Sequence, residues 1–334
     1  MKTDAGRAGR QERRRRSMAV GLIAAAGLLA PLAVGAQADY PNKPVKFIVN
    51  FPPGGPLDMI ARSMAERLTA TMKQPFIVEN RGGAAGNIGA DAVAKSAPDG
   101  YTVLFTIDTT LTVNPTLYPS MPFKPADLMP LMLLATSGLA VGVQPSLGIG
   151  SMAELVARGK TQELTFSSAG NGSPGHLAAA LLSDKYGLKI NHVPYRGNTQ
   201  AVMAVVGNEV QAGVLATPGF APHIPTGKVK VLAVTGKNRS PLLPDVPTSA
   251  QANVPALEIE VGYLAMLPAG TPPAIAARLH KEMSQALALP EVQQRLRTVD
   301  LVATPTDGPA LADRLAATRE RYAATIRATK MKVE

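Results

Sequence analysis

Two short stretches of this 334-residue chain are suited to holding an anion by the main chain. The first, Asn50-Phe51-Pro52-Pro53-Gly54-Gly55-Pro56-Leu57-Asp58, leads from an apolar run into a segment of helical spacing. Its prolines fix the loop's shape, and Gly54 and Gly55 let N–H groups approach a ligand with no Cβ in the way, at the positive end of a helix. Asp58 is placed to cap a helix whose residues begin at Met59, with a ligand contact as the other reading. The second stretch is Ser167-Ser168-Ala169-Gly170-Asn171-Gly172-Ser173-Pro174-Gly175-His176. Ser173 as N-cap and Pro174 as first helical residue leave first-turn N–H groups free. His176, near that positive end, is expected to be neutral; it either donates one hydrogen bond to a ligand or is tied to the backbone on the helix face. Tyr195-Arg196-Gly197 offers a hydroxyl and a cation at the end of another apolar run, and a surface turn with an ion-paired arginine reads equally well.

Other chemistries lack their parts. Residues 170–175 fit G-x-G-x-x-G, but a dinucleotide site needs an acidic residue about 20 positions on, and that region reads His192-Val193-Pro194-Tyr195-Arg196-Gly197. The four histidines have no H-E-x-x-H spacing, and neither a G-x-S-x-G elbow nor a phosphate-binding G-x-x-x-x-G-K-[ST] loop occurs. Cysteine is absent, which removes thiol catalysis, disulfides and cysteine-held metals together. The expectation is a binding protein and not an enzyme, with no cofactor and no metal.

The elements that must position these loops follow a repeated grammar. Lys46 to Asn50 is a compact buried-strand run, followed by Ile60, Met64 and Leu68 at helical spacing. Phe76 to Glu79 then Ile88 to Ala94, Leu164 to Ser167 then Leu177 to Tyr186, and His192 to Pro194 then Thr199 to Val206 repeat it, with further strands at Thr102 to Thr106, Gln211 to Ala216 and Lys230 to Val234. Such alternation predicts an α/β protein of mostly parallel sheets with helices on both faces. After Val261 comes one more apolar run, Tyr263 to Leu267, then mainly helix: a start at Thr271-Pro272-Pro273, an apolar face of Ile275, Leu279, Met283 and Leu287, and segments over Glu291 to Thr298 and Leu311 to Ile326. Those helices need a sheet to cover. The length fits two lobes, and the reading is a discontinuous lobe 1 of residues 39–138 plus 263–334, a lobe 2 of residues 139–262, hinge crossings near Ser137 to Leu139 and near Gly262, and a ligand cleft between.

The formal charge of +10 suggests nucleic acid only until it is located. Seven of the 34 basic residues and two of the 24 acidic ones fall within residues 1–38, leaving 27 against 22 with no basic run, so no nucleic-acid partner is expected. Residues 1–38 themselves read as a cleavable signal peptide: Arg13-Arg14-Arg15-Arg16, an apolar stretch from Met18 to Val34, and Ala36-Gln37-Ala38, with cleavage near Ala38-Asp39 and a periplasmic mature protein. An uncleaved anchor and twin-arginine export are the other readings of the same residues.

Tyr40-Pro41 through Val49, Phe51-Pro52-Pro53-Gly54-Gly55, Val78-Glu79-Asn80-Arg81, Gly86-Asn87-Ile88-Gly89, Ala97-Pro98-Asp99-Gly100-Tyr101 and Asn114-Pro115 resemble the N-terminal lobe of the Bug-type solute-binding receptors of tripartite tricarboxylate transporters. Ser168 through His176, Val193-Pro194-Tyr195-Arg196-Gly197, Pro222-His223-Ile224, Leu243-Pro244-Asp245-Val246-Pro247-Thr248 and Pro268-Ala269-Gly270-Thr271-Pro272 extend the resemblance over nearly the whole mature chain. It implies a type II-like periplasmic-binding-protein fold that closes on a small carboxylated solute and delivers it to membrane permease subunits, expected as a monomer. Presentation of the ligand to a sensor kinase is the alternative, and an enzyme on the same fold is the third reading. In that family main-chain and hydroxyl groups of the cleft loops hold the carboxylate. Carried over, this points to Phe51, Gly54, Gly55 and Asp58 in one lobe and Ser168, Ala169, Gly170, Asn171, Ser173 and His176 in the other, with Tyr195 and Thr217 as weaker matches. The chain departs from the family at Asp108, where small residues are usual, at Leu215-Ala216, where an Asp-Asn pair is common, and at Tyr263, where tryptophan is common. Asp108 is expected in the loop at the cleft, either turned away and bonding main-chain N–H groups as a loop or helix cap, or meeting a donor on the ligand's far end.

Overall fold

The computed structural model describes residues 40–332, so the signal peptide over residues 1–38 and its Ala38-Asp39 junction lie outside the described residues. In chain order the strands are β1 (Val45–Val49), β2 (Phe76–Asn80), β3 (Thr102–Ile107), β4 (Leu128–Ser137), β5 (Leu139–Val143), β6 (Leu164–Ser168), β7 (Ile190–Pro194), β8 (Ala212–Ala216), β9 (Lys230–Val234), β10 (Val261–Pro268) and β11 (Val302–Asp307). They form a six-stranded sheet, β11-β4-β10-β3-β1-β2, and a five-stranded sheet, β7-β6-β8-β5-β9. The chain leaves the first sheet after β4 and returns to it at β10.

Both sheets are mixed, where the strand-helix grammar predicts mostly parallel ones. The pairs β1–β2, β1–β3, β6–β7 and β6–β8 are parallel, and those made by β4, β5, β10 and β11 are antiparallel. The difference comes from Leu128 to Val143, an almost uninterrupted apolar stretch with no periodicity to mark it, as expected of strands covered on both faces. Pro130 would argue against an interior strand. It is accommodated where the register between β4 and β10 slips, next to Met266.

Helices cover the sheets: α1 (Pro56–Met72), α2 (Asn87–Ala94), α3 (Thr109–Thr112), α4 (Asn114–Leu117), α5 (Met152–Thr161), α6 (Pro174–Tyr186), α7 (Asn198–Val206), α8 (Thr217–Phe220), α9 (Pro273–Ala288), α10 (Pro290–Arg297) and α11 (Gly308–Thr329). One core gathers Ile48, Leu104, Leu133, Leu264 and Leu311. A second gathers Ala140, Val202, Val205, Leu215 and Phe220. The C-terminal helix α11 packs on β4 and α3 of the first sheet and also on α6 of the second.

Parallel pairing decides where the helices start. Because β6, β7 and β8 run the same way, α6, α7 and α8 all begin at one edge of the second sheet; β1 delivers α1 to the corresponding edge of the first. Gly175 in the first turn of α6 sets how closely that helix approaches the sheet, because a Cβ there would collide with the carbonyl oxygen of Val214 in β8. Gly175→Ala should therefore push α6 off the sheet and lower the urea unfolding free energy by about 1–3 kcal/mol, the usual effect of overpacking a tight contact. A denaturation midpoint equal to wild type would show that the helix start has slack.

Candidate functional site

The loop from β1 to α1 is held from behind. Asn50, fully buried, donates from Nδ2 to Thr106 Oγ1 at 2.8 Å and to the Gly86 carbonyl at 3.0 Å. The helix begins at Pro56, three residues earlier than Met59, and its N-cap is Gly55, in extended backbone with φ −85°. Asp58 is thus the third helical residue, not the cap. Its carboxylate accepts from Gly54 N–H at 3.0 Å, Arg62 Nε at 2.9 Å and Asn80 Nδ2 at 3.0 Å, while Asn80 also donates to the Phe51 carbonyl at 3.2 Å. Burial alone would raise the Asp58 pKa; the bonds from Arg62, Gly54 and Asn80 outweigh it and hold the group below the usual range. Asp58 is fully committed to shaping the loop. Gly55, with no side chain, satisfies none of the first-turn N–H groups.

The loop from β6 to α6 closes on itself in the same manner. Ser173 is the N-cap, and its Oγ accepts from His176 N–H at 3.3 Å. Gly172 N–H donates to His176 Nδ1 at 3.2 Å, so the ring proton resides on Nε2. The ring stacks on His192, 3.9 Å between centroids and 5° from parallel, and His192 Nε2 lies 2.6 Å from Ser168 Oγ. Burial lowers both imidazoles, His176 to about 3 with the neighbouring His192 adding to the effect, and His192 to about 4. Both are neutral at ordinary pH. Gly172, at φ 81°, allows the loop to reach the first sheet's connections: a Cβ there would lie 2.8 Å from Asn114 Oδ1. The glycines of residues 170–175 therefore serve chain geometry, which accounts for a dinucleotide-like spacing without a dinucleotide site.

A third helix start joins these two. Gly197 caps α7 at φ 107°, and Asn198 Oδ1 accepts from Ala216 N–H at 2.8 Å, fastening the start of α7 to the end of β8. Around the starts of α1, α6 and α7 lies a cavity of about 400 Å³. Phe51, Gly55, Ala169 and Ser173 line it, as do Arg196, Asn198, Thr199 and Gln200. Its inner wall is apolar and comes from β3, β5, β8 and β10: Ile107, Leu139, Val214, Leu215, Val261 and Tyr263. The Tyr263 hydroxyl pairs with Ser137 Oγ at 3.1 Å, so its ring and not its polar end faces inward, and burial raises its pKa.

Not every residue singled out in the sequence lines this cavity. Gly54, Ser168 and Gly170 adjoin lining residues in their loops without lining the cavity themselves. Asn171 and His176 face the other side of their loop, where a separate cavity also takes in Thr329 to Lys332. Tyr195 points its hydroxyl at Glu209, 3.4 Å away, and rests its ring against the core of the second sheet. Thr217 is fully buried in the first turn of α8. Asp108 lies across β10 from the cleft: Tyr263 and Val261 face the cavity, Gly262 between them faces the opposite way, and a Cβ on Gly262 would lie 3.3 Å from Asp108 Oδ2. There Asp108, 5% exposed, borders a second cavity with Lys237, Glu258, Glu260, Arg314 and Arg321. Burial pushes its pKa to about 7, against the pull of the Gly262 and Thr109 N–H groups and of Arg314. Arg196 through Gln200 repeat the strand-loop-helix grammar and were findable in the sequence by that signal; Ile107, Leu139 and Val261 carry none.

Residues 60–331 match the sequence model of the family described as tripartite tricarboxylate transporter family receptor. Protein BugT of Bordetella pertussis is 35% identical over 320 residues, covering 93% of this chain and 96% of that protein. Among solved structures, the periplasmic binding protein BugD superposes with a TM-score of 0.80 at 28% identity, over 88% of this chain and all of that one. A Rhodopseudomonas palustris protein solved with adipate gives 0.82 at 28% identity with the same coverages.

Two consequences of the geometry are measurable. Gly55→Val places a branched side chain at a φ that valine adopts readily, with no atom within 4 Å of its Cβ except what enters the cavity. Apo stability should hold, while affinity for an anion seated at the helix starts should fall by about 2 kcal/mol or more, read by calorimetric titration; unchanged affinity would remove this loop from the site. For Asp108, a folded pKa raised above the unfolded value means the folded state binds the extra proton between about pH 4 and pH 7, so stability declines as pH rises through that window. Asp108→Asn should abolish the decline, which for this pKa difference is on the order of 3 kcal/mol between pH 5 and pH 8, in urea melts at those two pH values, and should leave cleft affinities unaltered.

Proposed function

The chain belongs to the tripartite tricarboxylate transporter receptor family, and from that premise we propose that it captures a small carboxylated solute in the periplasm and hands it to the membrane subunits of such a transporter. The observation that carries this reading is the convergence of three helix starts, α1 from the first sheet and α6 and α7 from the second, on one cavity. Each start presents N–H groups with no intrahelical acceptor and a positive dipole end, and a carboxylate satisfies both. Phe51, Gly54, Gly55, Ser168, Ala169, Gly170 and Ser173 form or back that cradle, with Asn198 to Gln200 completing it. Asp58 and His176 act on it through the loops they brace.

The two sheets serve as two lobes, residues 39–138 with 263–334 and residues 139–262, closing about the crossings at Ser137 to Leu139 and at Gly262. Residues 1–38 serve as the export signal, and the receptor works as a monomer that returns its ligand chemically unchanged. A thermal-shift series on the mature chain with mono-, di- and tricarboxylates, aromatic acids and amino acids tests this. A true ligand stabilises by RT ln(1 + [L]/Kd), about 2.7 kcal/mol at one hundred times Kd. No shift with any acid, or recovery of a converted ligand, would overturn the receptor reading.

A further inference from the structure

The polar side chains lining the cleft are carried by its loops and helix starts, and its strands contribute apolar ones. First-turn N–H groups, Ser173, Asn198, Thr199 and Gln200 stand where the helices begin, and so does Arg196, the one charged side chain lining the cavity among the described residues, exposed and adjacent to the α7 cap. The lining contributed by the strands is Ile107, Leu139, Val214, Leu215, Val261 and the ring of Tyr263, all buried. Its only polar side-chain atom, the Tyr263 hydroxyl, is engaged by Ser137.

That division fixes what the far end of a ligand must be. An ionised group set against this wall would lose its hydration and meet no donor or cation in return, which is strongly unfavourable in a low-dielectric site. A methyl, methylene or aryl group there loses nothing and gains apolar burial, worth about fourfold in affinity for each buried methylene.

We propose that the solute is a monocarboxylate with an apolar body, aliphatic or aromatic, seated with its carboxylate at the helix starts and its tail against the wall of Ile107, Leu139, Leu215 and Tyr263. The inference rests on the carboxylate-receptor reading and narrows it. Hexanoate and adipate separate the two, since they share a six-carbon chain and differ only in the far end, and hexanamide removes the near charge instead. By calorimetric titration of the mature wild-type protein, hexanoate binds at least tenfold more tightly than adipate and than hexanamide, octanoate binds more tightly than hexanoate, and benzoate binds. Leu139→Asn or Ile107→Asn, whichever keeps a wild-type melting temperature without ligand, narrows the gap between hexanoate and adipate about tenfold. Adipate binding as well as hexanoate overturns the apolar-tail inference and leaves the receptor reading standing. Hexanamide binding as well as hexanoate, or no binding by any of the acids, overturns both.

Discussion

An α-helix starts with N–H groups that its own turns cannot satisfy, and the architecture of this protein is organised around leaving several of them unsatisfied in one place. The caps are chosen accordingly. Gly55 and Gly197 contribute no side chain, Ser173 takes up only the His176 N–H, and Pro56 and Pro174 occupy the first position with no N–H to offer. The remaining groups point into a cavity from fixed positions, because the parallel blocks β1–β3 and β6–β8 deliver their helices to facing edges. A carboxylate held there would be recognised without a buried cation, and the desolvation of a guanidinium would be avoided.

Rigidity behind the loops makes that arrangement selective. Asp58 binds Gly54, Arg62 and Asn80, and Asn80 in turn holds the Phe51 carbonyl, so the proline-glycine loop is pinned at both of its shoulders. In the second sheet the stacked His176 and His192 rings play the corresponding part. Kept neutral by burial, they brace the loop through Gly172 N–H and Ser168 Oγ without placing positive charge beside the cradle. Asp58 and His176, whose types suggested ligand chemistry, are thus engaged in keeping main-chain groups in place.

This division explains what could be read from the sequence. The two loops were legible because proline, glycine and serine carry local conformational meaning, and a third, at Gly197, repeated the signal. The mixed strand directions were not, because β4 and β5 are apolar throughout and their pairing with β10 and β8 joins residues far apart in sequence. Asp108 was open to two readings in the sequence. It directly follows Ile107, which lines the cleft, but its own backbone is helical, φ −58°, at the start of α3. Its carboxylate lies across β10 beside the Gly262 and Thr109 N–H groups, the turned-away arrangement and not the ligand contact. Likewise α1 begins three residues before Met59, which turns Asp58 from a cap into a brace.

The membership of the three helix starts in different sheets has one more mechanical consequence. α6 and α7 are fastened to the second sheet, through Gly175 against Val214 and Asn198 against Ala216, whereas α1 is fastened to the first through Asn80 and Asn50. Each start supplies only a partial positive charge, about half an elementary charge at best, so no single one holds an anion strongly in water. Their sum acts on a ligand only while the two sheets face each other closely, as they do where Gly172 meets Asn114 and where Gly197 approaches Pro52. Separation of the sheets by a few ångströms would leave a carboxylate with one lobe's donors and restored hydration. Binding strength in such a cleft would therefore depend on the relation of the sheets to each other rather than on a single strong ion pair.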